Sequence, residues 1–164
     1  MRCAIGSDDV GPLTGALLEE LERRGASVER FGALCAASAE RTDIEWASIG
    51  RAVGEQVAAG RADVGIVCCW TGTGISIAAN KVRGVRAALC GDAVTAEGAR
   101  RWNDANVLAL SLRATSPAVG LEILSAFLAT TSSDDPSDRH SIAAVEYAAD
   151  DSNAVERTTA GAQA

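Results

Sequence analysis

Residues 68–81 read Cys-Cys-Trp-Thr-Gly-Thr-Gly-Ile-Ser-Ile-Ala-Ala-Asn-Lys and follow an apolar run from Val64 to Val67. A thiol at Cys69 and a hydroxyl at Thr71 thus stand beside two glycines, Gly72 and Gly74, where a strand gives way to a helix. Backbone N–H groups of such a turn point at negative charge, and donors placed there stabilise an oxyanion as it develops. The same amides favour the thiolate of a neighbouring cysteine. The chemistry implied is a nucleophile or base acting on an anionic or carbonyl-bearing small molecule. Gly72-Thr73-Gly74 lacks the third glycine of the dinucleotide fingerprint, which argues against NAD. No CxxC or HxxxH pair gives the spacing of a zinc site, and neither a metal nor a cofactor is expected.

Other side chains could serve the same centre. Asp8 and Asp9 follow the first apolar run; one is expected to cap the next helix. The other, with nothing to cap, could hold a ligand hydroxyl or position a proton. Arg113, Arg139 and His140 are candidate phosphate ligands, since the planar guanidinium fork suits an anion. His140 is the only histidine, and histidine is the usual acid or base near neutral pH. A solvated surface charge is the plainer reading of each arginine. A lone tryptophan such as Trp46 reads as core, whereas Trp70 and Trp102, set inside polar motifs, read equally as packing residues and as flat walls for a ligand. Cys3, Cys35 and Cys90 are expected to be small buried hydrophobes. Cys68, adjacent to Cys69, is expected on the opposite side of the strand.

The elements that must position these residues alternate. Strands are expected at Cys3–Gly6, Ser27–Phe31, Asp63–Cys68, Val85–Cys90 and Val107–Ser111. Leu13, Leu17, Leu18 and Leu21 mark a helix over 11–24, stopped at Gly25. A second helix is expected over 43–59, with Ile44, Ala47, Val53 and Val57 inward. Others are expected over 75–81, 93–102 and 116–129, the last opened by Ser116-Pro117 as N-cap and first helical residue. Strands alternating with helices predict a parallel sheet covered on both faces, an α/β fold. Ligands of such sheets bind beyond the carboxyl ends of the strands. Ser7-Asp8-Asp9, Cys69 to Gly74 and Ser111-Leu112-Arg113 all fall there. A polar linker from Thr130 to Asp138, a short helix near 139–149 and a tail at 150–164 without periodicity complete the chain.

With 164 residues, one domain with a real core is expected over 1–149, and the tail reads as disordered. A net charge of −7 argues against nucleic-acid binding, which needs basic patches. No apolar run approaches the roughly 20 residues of a membrane span, and the amino terminus does not read as a signal peptide. Five cysteines, two of them adjacent, do not suit a disulfide framework. A reduced, cytoplasmic setting is expected.

Five segments then stand in a familiar order: Ile5-Gly6-Ser7-Asp8; Cys69-x-Thr71-Gly72-x-Gly74-x-Ser76-Ile77-Ala78-Ala79-Asn80-Lys81; Gly84-x-Arg86-Ala87-Ala88; Asn103-Asp104-Ala105-Asn106-Val107-Leu108; Arg139-His140. Together they resemble the type B ribose-5-phosphate isomerase and galactose-6-phosphate isomerase family, collinearly over residues 2–149. The resemblance implies a three-layer, Rossmann-like fold with a five-stranded parallel sheet. It also implies a homodimer, or a dimer of dimers, with active sites at the interface. Cys69 would be the base moving a proton between C1 and C2, and Thr71 would assist transfer between the two oxygens. The loop carrying Gly72, Thr73, Gly74 and Ser76 would hold the enediolate. Asp8 and Asp9 would complete the catalytic group; Trp70, Trp102, Asn103, Arg113, Arg139 and His140 would contact the substrate. A glutamate that serves as base in one branch falls at Ile75, so this chain is of the cysteine type.

The chain departs from the family pattern at several places. Asp9 and Trp102 stand where histidines are usual, the latter thought to open the sugar ring. Trp70 replaces a glycine, Ile44-Glu45 a Tyr-Pro pair, and Ala143 a second phosphate-binding arginine. The implied activity is an aldose–ketose isomerase for a small sugar or sugar phosphate, with ribose 5-phosphate not the best substrate and a short or open-chain one favoured. The alternatives are a noncatalytic or partner-dependent subunit of a heteromeric isomerase, and an epimerase-type proton-transfer enzyme.

Overall fold

The structure is a computed structural model and describes residues 1–35 and 44–146. The expected tail and the last residues of the expected terminal helix lie outside the described residues. Five strands, β1 (Arg2–Ser7), β2 (Ser27–Gly32), β3 (Val64–Cys69), β4 (Ala87–Leu89) and β5 (Val107–Ser111), form one parallel sheet in the order β2-β1-β3-β5-β4. The helices are α1 (Pro12–Arg23), α2 (Trp46–Ala58), α3 (Thr73–Asn80), α4 (Ala93–Asn103) and α5 (Pro117–Ala129). Residues 136–146 add a sixth helical segment, α6. The three-layer α/β architecture is the one expected.

Each face of the sheet carries its own core. Helices α1, α4 and α5 cover Cys3, Ile5, Ile66, Cys68, Leu108 and Leu110 with Leu17, Leu21, Ala96, Ile123 and Phe127. Helices α2 and α3 cover Ala4, Val67, Cys69, Val107 and Ala109 with Ile49, Val53, Ile75 and Ala79. Period-two alternation along β3 sends Cys68 to one core and Cys69 to the other, as expected of adjacent strand residues. The central strand is buried along its whole length, as a parallel strand flanked on both sides must be.

Several local expectations need correction. Helix α2 buries Ile49, Gly50, Val53 and Gly54; Val53 is inward as expected and Val57 packs, partly buried, against the same core, whereas Ile44 and Ala47 are only half-buried. A stripe that includes glycines carries no hydropathy signal, so the apolar pattern marked only part of the face. Thr14 joins Leu13, Leu17 and Leu21 on the buried face of α1, and Leu18 packs, partly buried, against the same core. Cys35 is exposed rather than buried. Neither Asp8 nor Asp9 caps α1: its N-cap is Gly11, and the Thr14 hydroxyl accepts from the Gly11 N–H (3.0 Å) and donates to the Gly11 carbonyl (2.9 Å). The pair Ser116-Pro117 behaves as expected, the Ser116 hydroxyl accepting from Val119 N–H.

Candidate active site

Strand β3 ends one residue later than its apolar run implies. Cys69 is therefore the last strand residue, not a loop residue, and is 5% exposed. Its carbonyl accepts from the N–H groups of Gly72 (3.1 Å) and Leu112 (3.0 Å). The Trp70 carbonyl accepts from Arg113 N–H (3.0 Å) and from the Ser111 hydroxyl (2.9 Å). The turn after β3 is thus bonded to the end of β5, which holds Cys69 still against the loop that follows.

Gly72 is the pivot of that loop. It caps α3 in the left-handed region at φ 73°, where a side chain costs roughly 1–2 kcal/mol. A Cβ there would also lie 2.9 Å from the Leu110 carbonyl and 2.5 Å from Leu89. Glycine is required for both reasons. Helix α3 then starts at Thr73, two residues before its apolar pattern does, with its first N–H groups at the carboxyl edge of the sheet, that of Thr73 donating to the Thr71 hydroxyl at 3.4 Å. Thr71 and Thr73 are exposed on the turn, and Gly74 is half-buried. Ser76 is buried, with its hydroxyl turned to the Ala87 carbonyl at 3.5 Å, so that group faces β4 and not the mouth of the turn.

Parallel register brings the other strand ends alongside. Ser7 pairs with Cys68, and Cys69 pairs with Ser111, so Asp8 leaves β1 beside Cys69. Burial holds the Asp8 carboxyl above the usual aspartate range; a hydrogen bond from its own backbone N–H opposes this, and the charge of Asp9 adds to it. The Asp9 carboxylate accepts from Val10 N–H at 2.8 Å. Burial pushes the Cys68 thiol up to about 12, the neighbouring Cys69 and Asp8 contributing in the same direction. Cys68 therefore stays a thiol and is part of the core. A small recess of about 340 Å³ opens beside Thr71 and is lined by Leu89, Cys90, Gly91, Ser111 and Arg113 among others. Trp70, the residue before Thr71, is 64% exposed.

The remaining candidates lie elsewhere in the chain. Helix α4 leaves the carboxyl end of β4 and runs back for eleven residues, about 16 Å at the helical rise. It delivers Trp102 and Asn103 to the opposite end of the sheet from Cys69. There they line a cleft of about 950 Å³ with the loop from Asn80 to Ala88 and with Ser141, Ile142, Val145 and Glu146 of α6. Trp102 folds back over Gly98 of its own helix and is 55% exposed. Arg139 is exposed and paired with Asp134 on the same segment; His140 is exposed beside it. One chain thus unites Asp8, Asp9, Cys69 to Gly74 and Arg113, but not Trp102, Asn103, Arg139 or His140 with them.

Some motif residues prove to be framework. Asn80 donates to the carbonyls of Ser76 (3.0 Å) and Ala87 (2.8 Å), and accepts from Ala87 N–H (2.8 Å), pinning the end of α3 to β4. Arg86 pairs with Asp104 (2.8 Å) and Glu146 (2.6 Å), joining α4 and α6 to the sheet. Asn106 accepts from Arg86 N–H (2.9 Å) and donates to the Gly84 carbonyl (2.8 Å). An asparagine ending an apolar helix is a legible sign of such side-chain-to-backbone bonding. The Ser111 hydroxyl, which ties β5 to the turn, had no distinguishing sequence signal beyond its place at a strand end.

A parallel α/β sheet with a cysteine and a glycine turn at its carboxyl edge defines a Rossmann-like small-molecule site. The profile of the family described as Ribose/Galactose Isomerase matches residues 3–145. Ribose-5-phosphate isomerase B of Escherichia coli is 42% identical over 123 residues, covering 74% of this chain and 76% of that protein. D-erythrulose-4-phosphate isomerase of Pectobacterium atrosepticum is 32% identical over 131 residues, covering 78% and 82%. The solved ribose-5-phosphate isomerase B of Clostridium thermocellum superposes with a TM-score of 0.82 at 34% identity, covering 92% of this chain and 99% of that one. The chain belongs to the ribose/galactose isomerase family of sugar-phosphate isomerases, and is an aldose–ketose isomerase.

Proposed function

We propose that this isomerase shifts a carbonyl between C1 and C2 of a short sugar phosphate through a cis-enediolate, with Cys69 as the base. The observation that carries the reading is the placement of Cys69. It ends the central strand beside a glycine turn whose helix amides face the same edge. Cys69 removes the proton alpha to the carbonyl, the amides of Thr73 and Gly74 receive the enediolate charge, and Thr71 passes the hydroxyl proton between the two oxygens. Asp8, whose carboxyl burial holds above the usual aspartate range, or Asp9 assists at the adjacent hydroxyl. Trp70 narrows the mouth, and Trp102 brings no ring-opening imidazole, so a substrate that is already open-chain fits best. The relative named for D-erythrulose 4-phosphate supports a four-carbon substrate.

The separation of Trp102, Asn103, Arg139 and His140 from Cys69 supports a homodimer in which each chain completes its partner's site. Arg113, Arg139 and His140 would then grip the phosphate. A homologous second chain in place of a second copy is the alternative, and activity of a homogeneous preparation of this chain excludes it. The domain is assigned to residues 1–149 and its setting to the cytoplasm, in keeping with its unpaired thiols.

The test is solvent deuterium incorporation into C3–C6 sugars, sugar phosphates and sugar acids. D-erythrulose 4-phosphate is expected to exchange faster than D-ribose 5-phosphate. Turnover of ribose 5-phosphate at the higher rate sinks the altered-substrate reading. Cys69→Ser is expected to remove exchange by a factor of about 100 to 10,000; exchange that survives moves the base to another group, Asp9 first.

A further inference from the structure

Helix α2 meets α3 along positions spaced by four, Trp46, Gly50 and Gly54, which share one helix face. A Cβ at Gly50 would come within 2.6 Å of the Ile75 carbonyl and 2.9 Å of Ala78 Cβ. One at Gly54 would lie 3.0 Å from Val82 and 3.3 Å from the Ala79 carbonyl. The two helices are therefore in backbone contact. At the carboxyl edge of the sheet the stripe ends on Trp46, and the partner there is Gly74. A Cβ on Gly74 would sit 3.0, 3.1 and 3.3 Å from Cε3, Cδ2 and Cε2 of the indole. Three fused-ring atoms at nearly equal distance mean that the ring lies flat over Gly74. Trp46 is nonetheless 46% exposed, so it does not serve chiefly to fill the core.

We propose that Trp46 is a positioning residue for the isomerisation: its indole, seated on Gly74, fixes the first amides of α3 relative to Cys69. The inference rests on the reading of Cys69 and its turn as the reaction centre. The first N–H groups of α3 have no acceptor within the helix, and they stabilise charge only if they meet the enediolate oxygens. Their position is set on one side by Gly72, whose N–H donates to the Cys69 carbonyl and which packs closely on Leu110 of β5, and on the other by α2. Gly50 and Gly54 fix the spacing of the two helices; Trp46 bears on the turn itself. A displacement of about 1 Å at a reacting centre costs on the order of 100-fold in rate. Gly74 is helical and does not occupy the left-handed region. The three atoms nearest to a new methyl there all belong to the indole, which makes the contact separable from backbone effects.

The test is a double-variant cycle on Trp46→Ala and Gly74→Ala, with Trp46→Phe as the conservative change and Cys69→Ser as reference. All are read as deuterium exchange into D-erythrulose 4-phosphate and D-ribose 5-phosphate, alongside thermal melting. Each single alanine variant is expected to lower kcat by about 10- to 100-fold with KM changed less than about threefold. Trp46→Phe restores most of the rate. The double variant loses less than the product of the single losses, because the new methyl occupies space the indole vacated. Additive losses, or losses confined to KM, overturn the proposal. Gly74→Ala at wild-type kcat overturns it as well, and does so even where Trp46→Ala fails to fold. Cys69→Ser that retains exchange, or wild-type protein that exchanges neither sugar, overturns the underlying reading. A silent Cys69→Ser beside a fully active Trp46→Ala overturns this inference alone.

Discussion

Asp8 is a side chain whose burial works against the fold near neutral pH. Its carboxyl is held above its ordinary range chiefly by burial, so the native state binds a proton more tightly than the unfolded chain. Stability then falls as pH rises from the ordinary aspartate value through the raised folded one, and is unaffected below both. Asp8→Asn is expected to raise Tm at pH 7, with the advantage vanishing in melts run below the usual aspartate range. The same change is expected to slow deuterium exchange, the common trade between a strained site and stability. The cysteines separate in the same way by environment. Burial pushes Cys3 and Cys68 to about 12 and Cys90 to about 11, whereas Cys35 is exposed, its Sγ 3.0 Å from the Arg30 carbonyl. Native protein treated with iodoacetamide at pH 7.5 (about one unit below a free thiol's pKa) should label Cys35 first. Mass spectrometry should find Cys3, Cys68 and Cys90 unmodified until the chain is denatured.

At the scale of the element, the turn from β3 to α3 decides the site. Gly72 occupies the left-handed region with the Leu110 carbonyl 2.9 Å from where a Cβ would be. Gly72→Ala is expected to cost about 2–4 kcal/mol, read as a lower urea midpoint at unchanged m, from the left-handed penalty together with overpacking. Much of this element was legible. The run Val64 to Val67, the glycines and the alanine-rich stretch after them mark strand, turn and helix in that order. What was not legible is the last residue of β3. A hydrogen-bonded partner on β5 extends the strand to Cys69, and local sequence does not contain its partner. For the same reason the buried face of α2 was read only in part: Gly50 and Gly54 face α3 because backbones meet there, and glycine has no side chain by which hydropathy could reveal it.

At the scale of the whole molecule, the βα alternation explains why two groups of candidate residues lie apart. Helices that follow the strands must run back, so Trp102 and Asn103 arrive at the far end of the sheet from Cys69. The proposed dimer answers this, and complementation checks it. Cys69→Ser and Arg139→Ala chains, each inactive, are denatured, mixed in equal amounts and refolded. Random pairing into twofold dimers with shared sites should restore about a quarter of wild-type activity, because half the dimers are mixed and each carries one intact site. No recovery in a preparation that sedimentation shows to be dimeric would place all the required groups on one chain.

The sequence by itself determined the α/β class, the parallel sheet and the segment proposed to bear the chemistry. These depend on periodicity and on residue types within a short window, and such signals are local. Only the tertiary structure decided which half of the adjacent pair Cys68-Cys69 faces which core, and that Asp8 is free of capping because Thr14 bonds to Gly11 instead. It likewise revealed that Trp46 rests on Gly74. Each of these depends on a contact between segments distant in the chain or on a competition among hydrogen-bond acceptors, and packing settles both. The turn at Cys69 was readable from its own residues; the supports that hold it come from α2 and β5.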